Sequence, residues 1–302
     1  MPAPECDPVS FLTVSGPVRW LSIVSESSDL VELKSHFAFG ENWASYAKLV
    51  TESQVEQATS GLRRLSGGDL RGKRFLDIGC GSGLHSLAAL RLGADQVVAL
   101  DIDPACVATT QQLLTRCAEG TRWTTQEKSV FDLQPDSMGW FDIVYSWGVL
   151  HHTGDLYRAL RAAAALVAPG GRFVFALYAR TPLCWFWKRE KRWYSAASPS
   201  AQARARSLYV GLFRLLYAIR HRDSFSEFVA TYGTNHGQAR GMNFYHDVHD
   251  WLGGWPYESI SPAETERFMH QLGMRQIRAF VRERRTLGLL GSGCDEYVYG
   301  RD

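Results

Sequence analysis

The run Phe75-Leu76-Asp77-Ile78-Gly79-Cys80-Gly81-Ser82-Gly83-Leu84-His85 reads as an apolar strand that ends in a glycine-rich turn and opens a helix. Glycine lets the backbone turn tightly and lets a ligand approach where a side chain would collide, so a flat, polar ligand is expected against this turn. The spacing is GxGxG; the dinucleotide fingerprint would need its third glycine at Leu84, and no Gly-Lys-Ser/Thr follows to make a phosphate loop. Eighteen residues after Gly83, the run Val97-Val98-Ala99-Leu100-Asp101 closes on an acid (101 − 83). A carboxylate at the end of the second strand, across from the glycine turn, is placed to accept both hydroxyls of a ribose. Together the two runs predict a nucleoside-bearing cofactor.

These residues need a parallel sheet to hold them. From about residue 74 short apolar runs alternate with helix-like stretches, which predicts helices over a parallel sheet. Strands are expected at Arg74–Ile78, Gln96–Asp101, near Thr121–Lys128, and at Phe141–Tyr145, Arg172–Tyr178, Arg275–Arg282 and Glu296–Gly300. Helices are expected at His85–Leu92, Pro104–Cys117 and Leu156–Val167, the last stopped by Pro169-Gly170-Gly171. Residues 1 to about 62 form a leader with an amphipathic stretch at Glu41–Arg64. Residues 181 to about 260 interrupt the sheet and hold five of the ten tryptophans; both segments are expected to cap it. Within the second, Arg206–Arg220 is expected to be a helix with Leu208, Leu212, Leu215, Leu216 and Ile219 on one face. The predicted division is therefore a lid over 1–62, a core over 63–180, a cap over 181–260 and the end of the sheet over 261–302.

DIGCGSG followed by LDIDP, then SVFDL at Ser129–Leu133 and FDIVYSWGVLHHTGD at Phe141–Asp155, resembles the class I S-adenosylmethionine-dependent methyltransferases. The resemblance covers roughly residues 74–180 and implies an α/β, Rossmann-like sheet of seven strands in the order 3-2-1-4-5-7-6, with the last strand antiparallel. It implies that Asp77, Gly79, Gly81 and Gly83 surround the methionine part of S-adenosyl-L-methionine and that Asp101 holds the ribose. It further implies that Ile102 packs on the adenine, Asp132 accepts from the adenine amino group, and Ser146 and Trp147 face the sulfonium end. The run DWLGGWPYE at Asp250–Glu258, with Phe37–Trp43, is similar to a subgroup that tailors natural products and glycans.

The cofactor is already electrophilic, so the protein has mainly to align a nucleophile with the carbon–sulfur bond. A base is needed only where the acceptor must lose a proton. His151 and His152 follow the fourth strand and are candidates, as is His246; histidine titrates near neutral pH. A brace for the next helix is the structural reading of His152. Trp43, Trp255 and Tyr257 are expected as apolar walls of the acceptor pocket, with His249 as a polar contact. Tyr46 or Tyr178 would replace histidine if no histidine served. The run His246–Glu258 is expected to be a shaped loop; two histidines three apart without a third ligand argue against a metal site.

Between Arg180 and Arg222 stand ten Lys or Arg and one acid, Glu190, interleaved with aromatics. This is the pattern of an RNA surface or of a solvated basic face, and the second is preferred; an anionic acceptor held by Arg189, Arg192 or Arg240 is an intermediate reading. A net charge of +2 over 302 residues gives no global pull toward nucleic acid or membrane, so neither is expected as partner. Six scattered cysteines without a CxxC pair suggest reduced thiols, and no apolar run approaches the roughly 20 residues of a membrane span, so a cytoplasmic protein is expected. The predicted function is methyl transfer to a small planar acceptor, an indole or phenol methylated on carbon or oxygen, in secondary-metabolite biosynthesis. A sugar or glycan hydroxyl, an RNA and a non-catalytic binding role are the alternatives.

Overall fold

The structure, a computed structural model, describes residues 37–118, 120, 122–221, 224–232, 242–281 and 287–302. Seven strands form one sheet: β1 (Arg74–Ile78), β2 (Gln96–Asp101), β3 (Trp123–Glu127), β4 (Phe141–Trp147), β5 (Val167–Tyr178), β6 (Met274–Phe280) and β7 (Cys294–Arg301). Their order is β3-β2-β1-β4-β5-β7-β6, with β7 antiparallel to both neighbours and the other adjacent pairs parallel. The expected order and reversal are both found.

Alternation along the strands supplies two faces. Phe75, Val97, Tyr145 and Val174 pack on one side with helices α2 (Glu52–Ser66), α3 (Leu84–Arg91) and α4 (Pro104–Cys117). Leu76, Val98, Leu100, Val144 and Phe173 pack on the other with α6 (Leu156–Ala165) and α11 (Pro262–Gln271); the short α5 (Pro135–Met138) precedes β4. Caps fix where these helices begin. Asp103 accepts from Ala105 N at 2.8 Å ahead of Pro104, and Ser261 with Glu264 forms a capping box ahead of Pro262.

A third apolar cluster lies over the C-terminal end of the sheet. It gathers Phe37 and helices α7 (Cys184–Ala196), α8 (Pro199–Arg220), α9 (Phe225–Ala230) and α10 (Phe244–Gly253) around Tyr178, Trp187, Tyr194, Phe228 and Phe244. The leader contributes α1 (Phe39–Ala47), whose Gly40 N donates to Asp103 at 2.9 Å.

Several expectations change. The stretch Glu41–Arg64 is two helices, and the boundary at 62/63 falls inside α2, which runs on to a left-handed stop at Gly67. Pro169-Gly170-Gly171 lies inside β5, where the register against β4 slips between Phe141 and Ile143. His246–Gly253 is helical; Asn243 caps α10 through Tyr245 N, and only the residues beyond it, with a cis Trp255–Pro256 bond, form a loop. In α8 Leu208, Leu212, Leu215 and Ile219 point to solvent while Leu216 is half-buried, and Tyr209, Phe213 and Tyr217 face the aromatic cluster instead. Among the described residues Cys80, Cys106, Cys184 and Cys294 form no disulfide, as expected of reduced thiols, and Cys6 lies outside the described residues. No described helix is long and apolar enough to cross a membrane.

Candidate active site

The sheet reverses its winding between β1 and β4, and the crevice beyond the carboxyl ends of such strands is where ligands bind in open α/β sheets. The glycine turn leaves β1 here, and Gly79, Gly81 and Gly83 all take positive φ, of +77°, +54° and +81°. Each glycine has a separate reason. A Cβ at Gly79 would run into Val149; at Gly83 it would lie 2.9 Å from the Thr110 backbone; at Gly81 it would lie 3.3 Å from the Trp43 ring. Gly79 and Gly81 line a cavity of about 690 Å³, whereas Gly83 does not and serves the close approach of α4.

Asp101 lines the same cavity. One of its carboxylate oxygens accepts from Gly81 N and the other from Asp103 N, both at 3.0 Å, so the acid fixes the turn as well as facing the ligand. Burial raises its carboxyl to about 6 against the lowering effect of those amides. Asp77 lies beneath the turn, fully enclosed, and accepts from Ser86 Oγ at 2.6 Å; burial pushes it to about 7. It supports the loop from below and does not line the cavity. Ile102, 40% exposed, lines it beside Lys128, Ser129, Val130 and Phe131. These residues fit S-adenosylmethionine: a carboxylate for the ribose diol, an exposed apolar face for the adenine, and a turn that a Cβ would fill.

The cavity continues away from the glycine turn. Trp147 lines it, and its Nε1 donates to the buried Glu296 at 2.9 Å, which in turn pairs with Arg64. His151 and His152 both line it but differ in chemistry. His151 is fully buried, its ring tilted against Tyr178 with centroids 3.8 Å apart, and its Nδ1 accepts from Tyr178 N at 3.4 Å, so the ring proton sits on Nε2. Burial holds its pKa well below the usual histidine range, and it stays neutral. His152 Nδ1 lies 2.8 Å from the Pro256 carbonyl. A carbonyl only accepts, so Nδ1 carries the proton and Nε2 is the basic nitrogen.

Other expected residues stand elsewhere. Asp132 is exposed in a helical turn at Val130–Asp132 and does not line the cavity, although its three predecessors do. Ser146 is buried and donates to the Ile78 carbonyl, tying β4 to β1. Trp43 lies over Gly81, at the cofactor end rather than as an acceptor wall. Trp255 and Tyr257 do not line the cavity; Arg192 lies over the Trp255 ring, and the Tyr257 hydroxyl is within hydrogen-bond reach of Cys184 Sγ at 3.2 Å and Ser292 Oγ at 3.3 Å. His246 sits half-buried beside Ser45 and Asn243, and His249 bonds Tyr194 and Arg206, so neither reaches the cavity. Tyr46 is buried against Trp43 and His246. Arg189 and Arg192 are exposed, and Arg240 lies outside the described residues. Lys191, read as part of a solvated basic face, is buried with Nζ 3.5 Å from the Trp251 ring centre, and burial lowers its ammonium to about 7.

The same cavity is lined further by Tyr178, Tyr209, Phe213, Phe228, Phe244 and Trp251, with Asp247 and Asp250 on α10. Tyr232 donates to Asp247 and Asn42 to Asp250, which fixes α10 to its neighbours. No sequence motif marks this set, because it is assembled from β5, α8, α9 and α10. The aromatic content of residues 181–260 is the signal that was available.

A seven-stranded sheet in this order, with a reversed β7, a glycine turn after β1 and an acid ending β2, is the Rossmann-like fold of the class I S-adenosylmethionine-dependent methyltransferases. Residues 50–228, more than half of the chain, match the methyltransferase domain family, and the chain belongs to it. The cofactor of this family is S-adenosylmethionine. The ubiquinone biosynthesis O-methyltransferase of Xanthomonas euvesicatoria pv. vesicatoria (strain 85-10) is 39% identical over 114 residues, which are 38% of this chain and 46% of that protein. The corresponding protein of Xanthomonas campestris pv. campestris (strain B100) is 39% identical over 113 residues, 37% and 46% of the two chains. The chain thus spans about half the length of the curated relatives it matches. Among solved structures, a putative S-adenosylmethionine-dependent methyltransferase from Listeria monocytogenes has a TM-score of 0.49 at 13% identity, covering 82% of this chain and 99% of that one. Magnesium protoporphyrin IX methyltransferase from Synechocystis PCC 6803 with bound SAH has a TM-score of 0.47 at 16% identity, covering 82% and 83%.

Proposed function

We propose that this protein transfers a methyl group from S-adenosylmethionine to a small, planar, largely apolar acceptor, with a phenolic hydroxyl as the acceptor group, in a biosynthetic tailoring step. The observation that carries this reading is the continuity of one cavity from Asp101 and the glycine turn to aromatic side chains of α8, α9 and α10, with His152 in its lining. The likeness to O-methyltransferases of ubiquinone biosynthesis supports transfer to oxygen. The division proposed is a lid over 1–62, of which 1–36 lie outside the described residues, a core over 63–180, a cap over 181–260 and the end of the sheet over 261–302.

When bound, the cofactor supplies an electrophilic methyl on a positive sulfur. Asp101 accepts from the ribose diol, and Trp147, braced by Glu296, closes the sulfonium end. His152 takes the phenolic proton on Nε2 while its Nδ1–H remains on the Pro256 carbonyl, which fixes the tautomer. Aromatic walls exclude water and orient the ring plane. Incubation with a panel of phenols, indoles and sugars, read as formation of the demethylated cofactor, tests the assignment. Turnover confined to sugars or to no small molecule at all would overturn it.

A further inference from the structure

The helix α8 is apolar on two opposite sides. Tyr209 and Phe213 face the cavity, while Leu208, Leu212, Leu215 and Ile219 are 75%, 48%, 59% and 75% exposed. Their spacing of four, three and four residues sets them in one stripe along the outer side of a 22-residue helix. Exposed apolar side chains also project from α7 (Trp185 and Trp193) and from the loop of Leu287 and Leu289. That loop is joined to the two helices, since Trp187 Nε1 donates to the Gly288 carbonyl and the Tyr209 hydroxyl to the Leu290 carbonyl, both at 2.7 Å. A stripe this long left in water forgoes the apolar burial that stabilises ordinary surface helices.

Charge decides what covers it. Lys188, Arg189, Arg192, Arg204, Arg214 and Arg220 are exposed on α7 and α8, and the one acid on these helices, Glu190, is partly buried. We propose that the outer face of α8 docks onto an anionic lipid bilayer, lying in the interface with Leu208, Leu212, Leu215 and Ile219 inserted and the arginines at the headgroups. A helix with apolar residues on one side, Lys or Arg along its flanks and tryptophans nearby is the arrangement that binds such surfaces without spanning them. A second copy of this chain would set like charges against each other, which opposes self-association through the same face. The expectation of no membrane partner rested on net charge and on the lack of a spanning run; neither bears on a helix that lies flat.

Flotation with phosphatidylcholine vesicles, with and without phosphatidylglycerol, tests this on the full chain. Binding is expected to anionic vesicles, about tenfold weaker to neutral ones, and weaker as salt rises. Leu212→Glu/Leu215→Glu is expected to reduce it about tenfold or more. Arg204→Gln/Arg214→Gln is expected to keep residual binding but lose much of the salt dependence. Neither pair touches the cavity, so cofactor binding by calorimetry and far-ultraviolet circular dichroism stay at wild-type levels and show that the variants fold. Absent binding to anionic vesicles at low salt, or undiminished binding of the leucine variant, overturns the proposal. So does a dimer in light scattering that the leucine variant splits, which gives the face to a second copy. RNA binding at physiological salt stronger than vesicle binding gives it to nucleic acid.

Discussion

Asp101 and Asp77 are both pushed up by burial, but they answer differently to a ligand. Asp101 must be ionised to accept two hydroxyls, so cofactor affinity is expected to fall as pH drops through about 6. Stability of the unliganded protein runs the other way. A carboxyl whose folded value lies above its unfolded one contributes stability present below the unfolded value, near 4. That contribution is lost as pH rises through about 6 for Asp101 and about 7 for Asp77. Melting curves across this window, with and without demethylated cofactor, should therefore converge toward acid pH; parallel curves would remove Asp101 from the site. Asp101→Ala is expected to weaken the cofactor about 10- to 150-fold, the range of charge-assisted hydrogen bonds at roughly 1.5–3 kcal/mol. For the histidines, His152→Ala is expected to lower turnover about 100- to 10,000-fold with cofactor affinity near wild type. His151→Ala should instead lower the melting temperature, because it empties a packed site against Tyr178. If His151→Ala abolished turnover in a stably folded protein, the two roles would be exchanged.

Among the elements, legibility in the sequence follows how local the governing physics is. Pro104–Cys117 and Leu156–Ala165 begin at Asp103 and Asp155, whose side chains cap the helix from within three residues, so their starts can be read directly. The residues around Gly79, Gly81 and Asp101 are legible for the same reason, since turn and acid are each set by neighbours in the chain. In His246–Gly253 two acids, two histidines and a pair of glycines imitate a loop, whereas Asn243 starts a helix there and Gly253–Gly254 ends it. In α8 both faces are apolar, and periodicity alone cannot choose between leucines and aromatics; the aromatic partners from α9 and α10 decide it. The glycine turn offers a test at this scale. Gly83→Ala sets a Cβ 2.9 Å from the Thr110 backbone at positive φ, so both stability and cofactor binding are expected to fall. Gly81→Val sets its Cβ 3.3 Å from the Trp43 ring, also at positive φ, so it should lose cofactor binding and lower the melting temperature as well. Normal cofactor binding in Gly81→Val would remove the turn from the site.

At the scale of the molecule, two apolar layers on the sheet carry the glycine turn, and a third cluster over its C-terminal edge lines the rest of the cavity, the end proposed for the acceptor. The third is joined to the sheet through Ala176 and Tyr178 of β5 and to the leader through Phe37. The ends proposed for acceptor and cofactor thus rest on different cores that meet at Tyr178, His151 and Trp147. Changes deep in the cap are therefore expected to separate the two binding functions. Phe228 and Phe244 are 7% and 3% exposed, 5.6 Å apart between ring centres, and both line the cavity. Truncating either to Ala removes aromatic packing of about 3–5 kcal/mol from the cap, and it also removes a wall. The expected result is a KM for the acceptor raised at least about tenfold, with cofactor affinity changed little and kcat at saturating acceptor less affected than KM. Calorimetry for the cofactor and initial rates for the acceptor separate these quantities. Loss of cofactor affinity in step with the rise in KM would show that the two ends share one cooperative core, and that the cap holds the glycine turn in place.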